Sequence, residues 1–235
     1  MARTIQQLFD LTGKTALITG GSRGLGLQMA QALGEAGAKL VISSRKASDL
    51  DEAVAHLKSQ GIDAFAIAAD CSNPEHIAHL ATSAIAHLGH IDILVNNAGA
   101  TWGAPAEDYP LEAWDKVMNL NIRGYFLLCQ QVGKLSMIPR KGGHIVNIAS
   151  ISGLGGNPPD LQMVAYNPSK GAVVNFTRTM AAEWGKHGIR VNAICPGFFP
   201  SKMTKGVLEK FGEDNMAAHA PLLRLGDDED LKGLC

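Results

Sequence analysis

Tyr166 and Lys170 stand four residues apart, in Tyr166-Asn167-Pro168-Ser169-Lys170, at the head of a long helical pattern. Residues at i and i+4 share a helix face, so a phenol and an ammonium lie side by side. A phenol with its ordinary pKa of about 10 is a poor proton shuttle near neutrality. A neighbouring cation favours the phenolate, and a tuned phenol can donate or accept a proton at a carbonyl or alcohol. Three signals precede the pair in a fixed order: a glycine-rich turn at Thr19–Gly26, an Asn96-Asn97-Ala98-Gly99 segment, and a strand ending in Ser150. Pro168 adds a constraint. Proline is tolerated in a first helical turn but costs about 3 kcal/mol further in, so the helix must start close to Tyr166.

The elements that position these residues alternate. Short apolar runs at Thr15–Thr19, Lys39–Ser43, Ala64–Ala68, Ile91–Val95, His144–Ala149 and Arg190–Cys195 read as strands buried on both faces. Helical patterns fill the gaps at Gly24–Ala36, Ser48–Ser59, Pro74–Leu88, Leu111–Met137 and Val164–His187. Regular β-α-β alternation predicts an α/β fold, a single doubly wound parallel sheet of Rossmann type with helices on both faces. The 235 residues, 46% hydrophobic and without repeat or linker, predict one domain over 1–235.

The first strand runs into Thr19-Gly20-Gly21-Ser22-Arg23-Gly24-Leu25-Gly26. Glycine lets the backbone turn tightly and approach a ligand, and the N–H groups at the start of the next helix favour an anion. A dinucleotide pyrophosphate suits that place. A Walker-type loop is excluded because no Gly-Lys-Ser/Thr follows. The second strand ends Ser43-Ser44-Arg45-Lys46, without the carboxylate that usually holds a ribose 2′-hydroxyl. Arg45, with Arg23 in reach, suits a 2′-phosphate instead, which predicts NADP(H) over NAD(H). NAD(H) is the secondary expectation.

In these motifs, with Asn121, Ser150 and Pro196-Gly197, the chain resembles the classical short-chain dehydrogenases/reductases over essentially its whole length. It is most similar to 3-oxoacyl-carrier-protein reductases and gluconate 5-dehydrogenase-like enzymes. The resemblance implies that Gly20, Gly24 and Gly26 form the phosphate turn, with Ser22, Arg23 and Leu25 beside them and Ser44 next to Arg45. It implies that Asp70 and Cys71 flank the adenine. Asn97, Ala98 and Gly99 would line the cofactor, and Pro196 and Gly197 would flank the nicotinamide. Phe198 and Ser201 match positions on its carboxamide side. Ser150 would bond the substrate carbonyl and stabilise oxyanion charge, with Ser152 as its rival. Tyr166 would be the acid/base, Lys170 its activator and a ribose ligand, and Asn121 a relay through water. The implied activity is hydride transfer between NADPH and a ketone or secondary alcohol, of 3-oxoacyl or sugar-acid type. A non-catalytic nucleotide sensor on the same fold is the alternative. Loss of the Ser150, Tyr166 and Lys170 set would favour it.

Three features depart from the family pattern. Gly155–Val164 lengthens the Ser150-to-Tyr166 spacing, and a rim loop over the substrate is expected there. Pro168 interrupts the Tyr-Lys spacing. The chain stops at Leu231–Cys235, just inside a segment that reads as a helix with Asp227–Asp230 as its acidic first turn. The family continues with one more strand, so a truncated chain lacking that strand is expected. The apolar residues between Pro200 and Leu223 suggest a lid.

Composition narrows the partners. A net charge of −1, from 21 basic and 22 acidic residues, gives no basic surface for nucleic acid. Cys71, Cys129, Cys195 and Cys235 are too scattered for a metal site, as are the histidine pairs His76/His79 and His87/His90. No signal peptide or apolar span is evident, so a cytoplasmic enzyme of a small-molecule carbonyl or alcohol is expected, without a membrane. The resemblance implies a homodimer or homotetramer joined through the Leu111–Met137 and Val164–His187 helices.

Overall fold

The computed structural model describes residues 2–235. Six parallel strands form one sheet in the order β3-β2-β1-β4-β5-β6. They are β1 (Thr15–Thr19), β2 (Lys39–Ser44), β3 (Ala64–Ala68), β4 (Ile93–Asn96), β5 (Gly143–Ile148) and β6 (Ile189–Ile194). The helices on the first half are α1 (Ile5–Phe9), α2 (Gly24–Glu35), α3 (Ala47–Ser59) and α4 (Pro74–Leu88). The second half carries α5 (Leu111–Met118), α6 (Gly124–Val132), α7 (Ile138–Arg140), α8 (Tyr166–Trp184), α9 (Lys205–Phe211) and α10 (Glu213–Ala218).

Strand alternation sorts the core into two layers. On one face Leu17, Val41, Leu94 and Ile145 pack with Ile77 and Leu80 of α4 and Leu128 and Val132 of α6. On the other Ala16, Ile18, Leu40 and Ile42 meet Met29 and Leu33 of α2 and Leu50 and Leu57 of α3. The strand order reverses between β1 and β4, and in such sheets ligands bind beyond the strand carboxyl ends at that switch point. The glycine-rich turn after β1 and the Asn97-Ala98-Gly99 segment after β4 both open there.

Several local details depart from the sequence reading. α1 was not expected; Thr4 and Gln7 form a reciprocal capping box at its start. The expected Leu111–Met137 helix is interrupted by π-helical turns at Asn119–Arg123 and Gly133–Met137. Both adjoin a glycine in close contact. A Cβ on Gly124 would collide with the Cys71 carbonyl, and one on Gly133 with the Trp184 ring. α8 begins at Tyr166, so Pro168 falls in its first turn as required. The expected C-terminal helix is a series of turns instead. Asp227 accepts from the backbone N–H groups of Glu229 and Asp230, as a cap would, but Arg224 grips the Asp230 carboxylate at 2.6 and 2.7 Å. Among the described residues no strand follows β6, which forms one edge of the sheet opposite β3.

At the amino-terminal edge of the sheet, Asp92 joins three elements. Its carboxylate accepts from Thr15 N at 3.1 Å, Arg140 Nη1 at 3.0 Å and His90 Nε2 at 3.0 Å. Burial pushes its pKa up, but the bonds from Arg140 and Thr15 and the charges of His90 and Arg140 outweigh burial and hold it below the usual value. A depressed carboxylate contributes stability above its unfolded pKa and loses it as pH falls. Asp92→Asn should therefore destabilise the fold by about 2 kcal/mol near neutral pH. Urea melts should show that difference shrinking as the pH drops below about 4.

Candidate active site

The two loops at the switch point are knitted together. Thr19 Oγ1 accepts from Asn97 N at 3.0 Å and Ala98 N at 3.1 Å. Asn97 Nδ2 donates back to the carbonyls of Thr19 and Gly20 at 3.0 and 3.2 Å. Gly20 sits at φ +64, and a Cβ on Gly26 would collide with the Gly20 carbonyl. Alanine at position 26 would therefore push α2 away from the turn.

Above this junction lies a cleft of about 1010 Å³. Its wall contains Gly20, Ser22, Arg23, Gly24, Leu25 and Gly26 from the first turn, and Ser44 and Arg45 from the end of β2. Asp70, Cys71, Asn97, Ala98 and Gly99 follow, then Ser150, Tyr166 and Lys170, and finally Pro196, Gly197 and Ser201. Two expected residues are not in that wall. The Phe198 side chain lies outside it, and Phe199 lines the cleft instead, its ring packed against Gly226. The chain turns at Pro196-Gly197, where strand alternation no longer indicates which of two adjacent phenylalanines faces in. Asn121 also lies behind the wall. Residues 155–164 border the cleft without lining it: Met163 bridges to Ala104, and Asn157 bonds Asn167 at 3.0 Å. The lid region does contribute, through Pro200, Lys202, Met203 and Thr204.

Ser150 lies two residues beyond the end of β5 and caps a single 3-10 turn over Ile151–Gly153. Its Oγ accepts from Ser152 N at 3.1 Å, which leaves its own hydrogen to donate. Ser152, the rival serine, is absent from the cleft wall. Lys170 reaches under Tyr166 and donates from Nζ to the Ile148 carbonyl at 2.7 Å. The ammonium lies 5.8 Å from the Tyr166 ring centre and 5.5 Å from that of Tyr125. Helix α8 comes this close because residue 153 is glycine; a Cβ there would sit 2.6 Å from the Lys170 carbonyl carbon.

Burial governs the charges. Lys170 is only 3% exposed, and desolvation pulls its pKa down to about 7. Burial pushes the Tyr166 phenol up, and the nearby Ser150 hydroxyl pulls it part of the way back. The expected lowering of the phenol by Lys170 is thus not supplied by the protein's own groups. Desolvation of the buried phenol is the largest influence on it.

Asn121 is fully buried in the first π-helical turn. Its Oδ1 accepts from Ala100 N at 2.8 Å, while Nδ2 donates to the Ala100 carbonyl and to Ser169 Oγ, both at 2.9 Å. Ser169 in turn donates to the Tyr166 carbonyl at 2.7 Å. The Asn121 amide thereby braces the loop after β4 against the head of α8.

At the far end of the cleft Arg23 pairs with Asp49 at 3.0 Å, a partner 26 residues away that the sequence did not reveal. Asp70 accepts from Ser72 N at 2.9 Å and Ser72 Oγ at 2.7 Å, both on Oδ1, leaving Oδ2 for a ligand. Burial raises the Asp70 pKa, but the Ser72 bonds and the charges of Arg45 and His76 outweigh burial and keep it low. Burial holds the Cys71 thiol at about 12, so it is a neutral wall.

With this geometry in view, the comparisons with known proteins agree. Residues 14–211 match the family model described as short chain dehydrogenase, and the chain belongs to that family. It is 37% identical over 228 residues to a gluconate 5-dehydrogenase of Gluconobacter oxydans, covering 96% of this chain and 87% of that protein. It is equally 37% identical over 224 residues to a 3-oxoacyl-[acyl-carrier-protein] reductase of Synechocystis, covering 95% and 87%. A gluconate 5-dehydrogenase from Burkholderia cenocepacia, solved with NADP and tartrate, superposes with a TM-score of 0.91 at 32% identity, covering 98% of this chain and 89% of that one.

Two outcomes follow from the buried groups. Asn121→Ala should cost about 2–4 kcal/mol of stability by orphaning the Ala100 and Ser169 partners, as read by equilibrium denaturation. Lys170 carries a pH signature of the same sign as Asp92, in a higher window. Its folded pKa lies below its unfolded value, so the unfolded chain binds more protons between about 7 and 10. Wild-type stability relative to Lys170→Met should then rise with pH across that window, and parallel curves would refute the buried ammonium.

Proposed function

We propose that this chain is an NADP(H)-dependent oxidoreductase that moves a hydride between nicotinamide and a ketone or secondary alcohol. The observation that carries this reading is the convergence of Ser150, Tyr166 and Lys170 on one wall of a cleft whose other end holds Arg45. The cleft suits a dinucleotide on its own evidence. A Cβ on Gly24 would point into open space, and Gly99 has nothing nearer its absent Cβ than Asn121 Oδ1 at 3.4 Å and Lys170 Nζ at 3.7 Å. Backbone at both places can lie against a ligand.

In this reading the glycine turn and the start of α2 hold the pyrophosphate, Asp70 Oδ2 accepts from the adenine, and Arg45 with Lys46 meets the 2′-phosphate. The cofactor, once bound, supplies the hydride. Ser150 donates its free hydrogen to the substrate oxygen and stabilises the charge that grows there. Tyr166 gives its phenolic proton to that oxygen during reduction and takes it back during oxidation. Lys170 holds a donor beneath Tyr166 and is placed to bond a ribose hydroxyl. Asn121 braces the head of α8 through Ser169 and would complete a proton relay through water, as the family resemblance implies.

The relatives act, by name, on gluconate and on 3-oxoacyl thioesters, which supports a sugar-acid or 3-oxoacyl substrate here. The cleft wall mixes Lys116 and Lys202 with Met203 and Phe199, which suits an anionic substrate with an apolar part. A homodimer or homotetramer through the α5–α7 run and α8 is consistent with Phe126 and Leu135, which are 44% and 43% exposed on that run. The four free thiols suit the cytoplasm.

Tyr166→Phe should lower kcat with NADPH and a ketone panel by about a hundredfold or more. NADPH binding, followed by fluorescence, should change by less than about twofold. A mutant that keeps most of its turnover would refute the acid/base assignment. Arg45→Asp should move the preference from NADPH toward NADH, and an unchanged ratio would sink the phosphate assignment.

A further inference from the structure

The nucleotide end of the cleft holds a carboxylate as well as its cations. Arg23, Arg45 and Lys46 line it together with Asp49. Asp49 stands in the first turn of α3, and its Oδ2 accepts from Arg23 Nη1 at 3.0 Å. The side chains are 30% and 54% exposed, so the pair is neither buried nor fully solvated. Arg23 offers no side-chain cap to α2, and Asp49 is its one carboxylate partner among the described ion pairs. Arg45 acts only at longer range, as a charge that lowers Asp70.

We propose that Asp49 sets the cofactor preference by occupying Arg23. This inference rests on the reading that Arg45 and its neighbours face the ribose 2′ position. A 2′-phosphate approaching Arg45 brings up to two negative charges near Asp49. It gains Arg23 as a second guanidinium only by drawing it off the Asp49 carboxylate. A plain 2′-hydroxyl carries no charge, leaves the Arg23–Asp49 pair intact and can donate to the same carboxylate. Asp49 therefore works against the 2′-phosphate and is neutral or helpful toward the hydroxyl. Without it, Arg23 has no carboxylate partner, while Arg45 keeps only the longer-range charge of Asp70. The device keeps the discrimination between the two cofactors smaller than Arg45 alone would make it.

The probes are 2′,5′-ADP and ADP, which differ at the 2′ position and need no turnover. Binding of each to the full chain is measured by calorimetry for wild type, Asp49→Asn, Arg23→Ala and the double variant. Asp49→Asn should tighten 2′,5′-ADP by about threefold to tenfold at low salt, the scale of a half-exposed ion pair plus a repelled charge. ADP should tighten by less than about twofold or weaken. The gain for 2′,5′-ADP should shrink at about 0.5 M salt, where exposed charges are screened. In the Arg23→Ala background the gain should be clearly smaller, because the ion-pair part is lost and only the repelled charge remains. Thermal melts establish that each variant is folded. A gain that is absent, that is equal for both nucleotides, or that is undiminished by Arg23→Ala would overturn the proposal. The wild-type ratio of the two nucleotides separately judges the underlying 2′-phosphate reading: tighter ADP would contradict that reading, while the change on Asp49→Asn still judges Asp49.

Discussion

The Lys170 ammonium has to lie out of water, and the geometry of the site follows from that constraint. It is held beneath Tyr166 by one bond to the Ile148 carbonyl. An ammonium is costly to bury unless it is bonded, so α8 must come down onto the end of β5. That approach requires glycine at position 153, where a side chain would strike the Lys170 backbone. It also requires that α8 start at Tyr166, which puts Pro168 where its missing N–H does no harm. Asn121 and Ser169 then fix the head of the helix against the loop after β4. One buried cation thereby ties the end of one strand, one loop and one helix to the same few ångströms.

The same burial keeps the site quiet when only protein groups are counted. Desolvation moves Lys170 down and Tyr166 up, so both drift toward their neutral forms. A phenol in that condition holds its proton. What would release it is positive charge arriving at the cleft, and an oxidised nicotinamide carries such charge. The opposite end of the cleft follows different rules. It is open, cationic and half-exposed, so its interactions are adjustable by single charges and by salt. In the proposed reading, binding discrimination and chemistry are thus separated along one groove, joined by the Thr19–Asn97 junction.

Much of this could be read from the chain. Each of the six strands lies within two residues of its sequence reading, because buried parallel strands are short apolar runs between glycine-bearing turns. The glycine turn, Ser150, Tyr166 and Lys170 could be placed at the cleft because strand ends point there in any open α/β sheet. What stayed hidden depends on tertiary contact. The Asp49 partner of Arg23 belongs to a different crossover. The π-helical turns answer to Cys71 and Trp184, which are distant in sequence. Phe199 faces the cleft rather than Phe198 because a Pro-Gly turn resets the chain direction. The direction of the Tyr166 shift depends on burial, which the Tyr-Lys spacing does not report. The C-terminal turns owe their form to Arg224, six residues before the aspartate it grips.

In the proposed reading Tyr166 is an acid/base whose phenol is held up by burial and brought down by positive charge at the nicotinamide position. The direct measurement is an ultraviolet titration of the phenol, taken as the difference between wild type and Tyr166→Phe, with and without saturating NADP+. A Tyr166 midpoint above that of a free phenol is expected in the protein alone, with a fall of about one unit or more when NADP+ binds. A midpoint that does not move with NADP+ would contradict it.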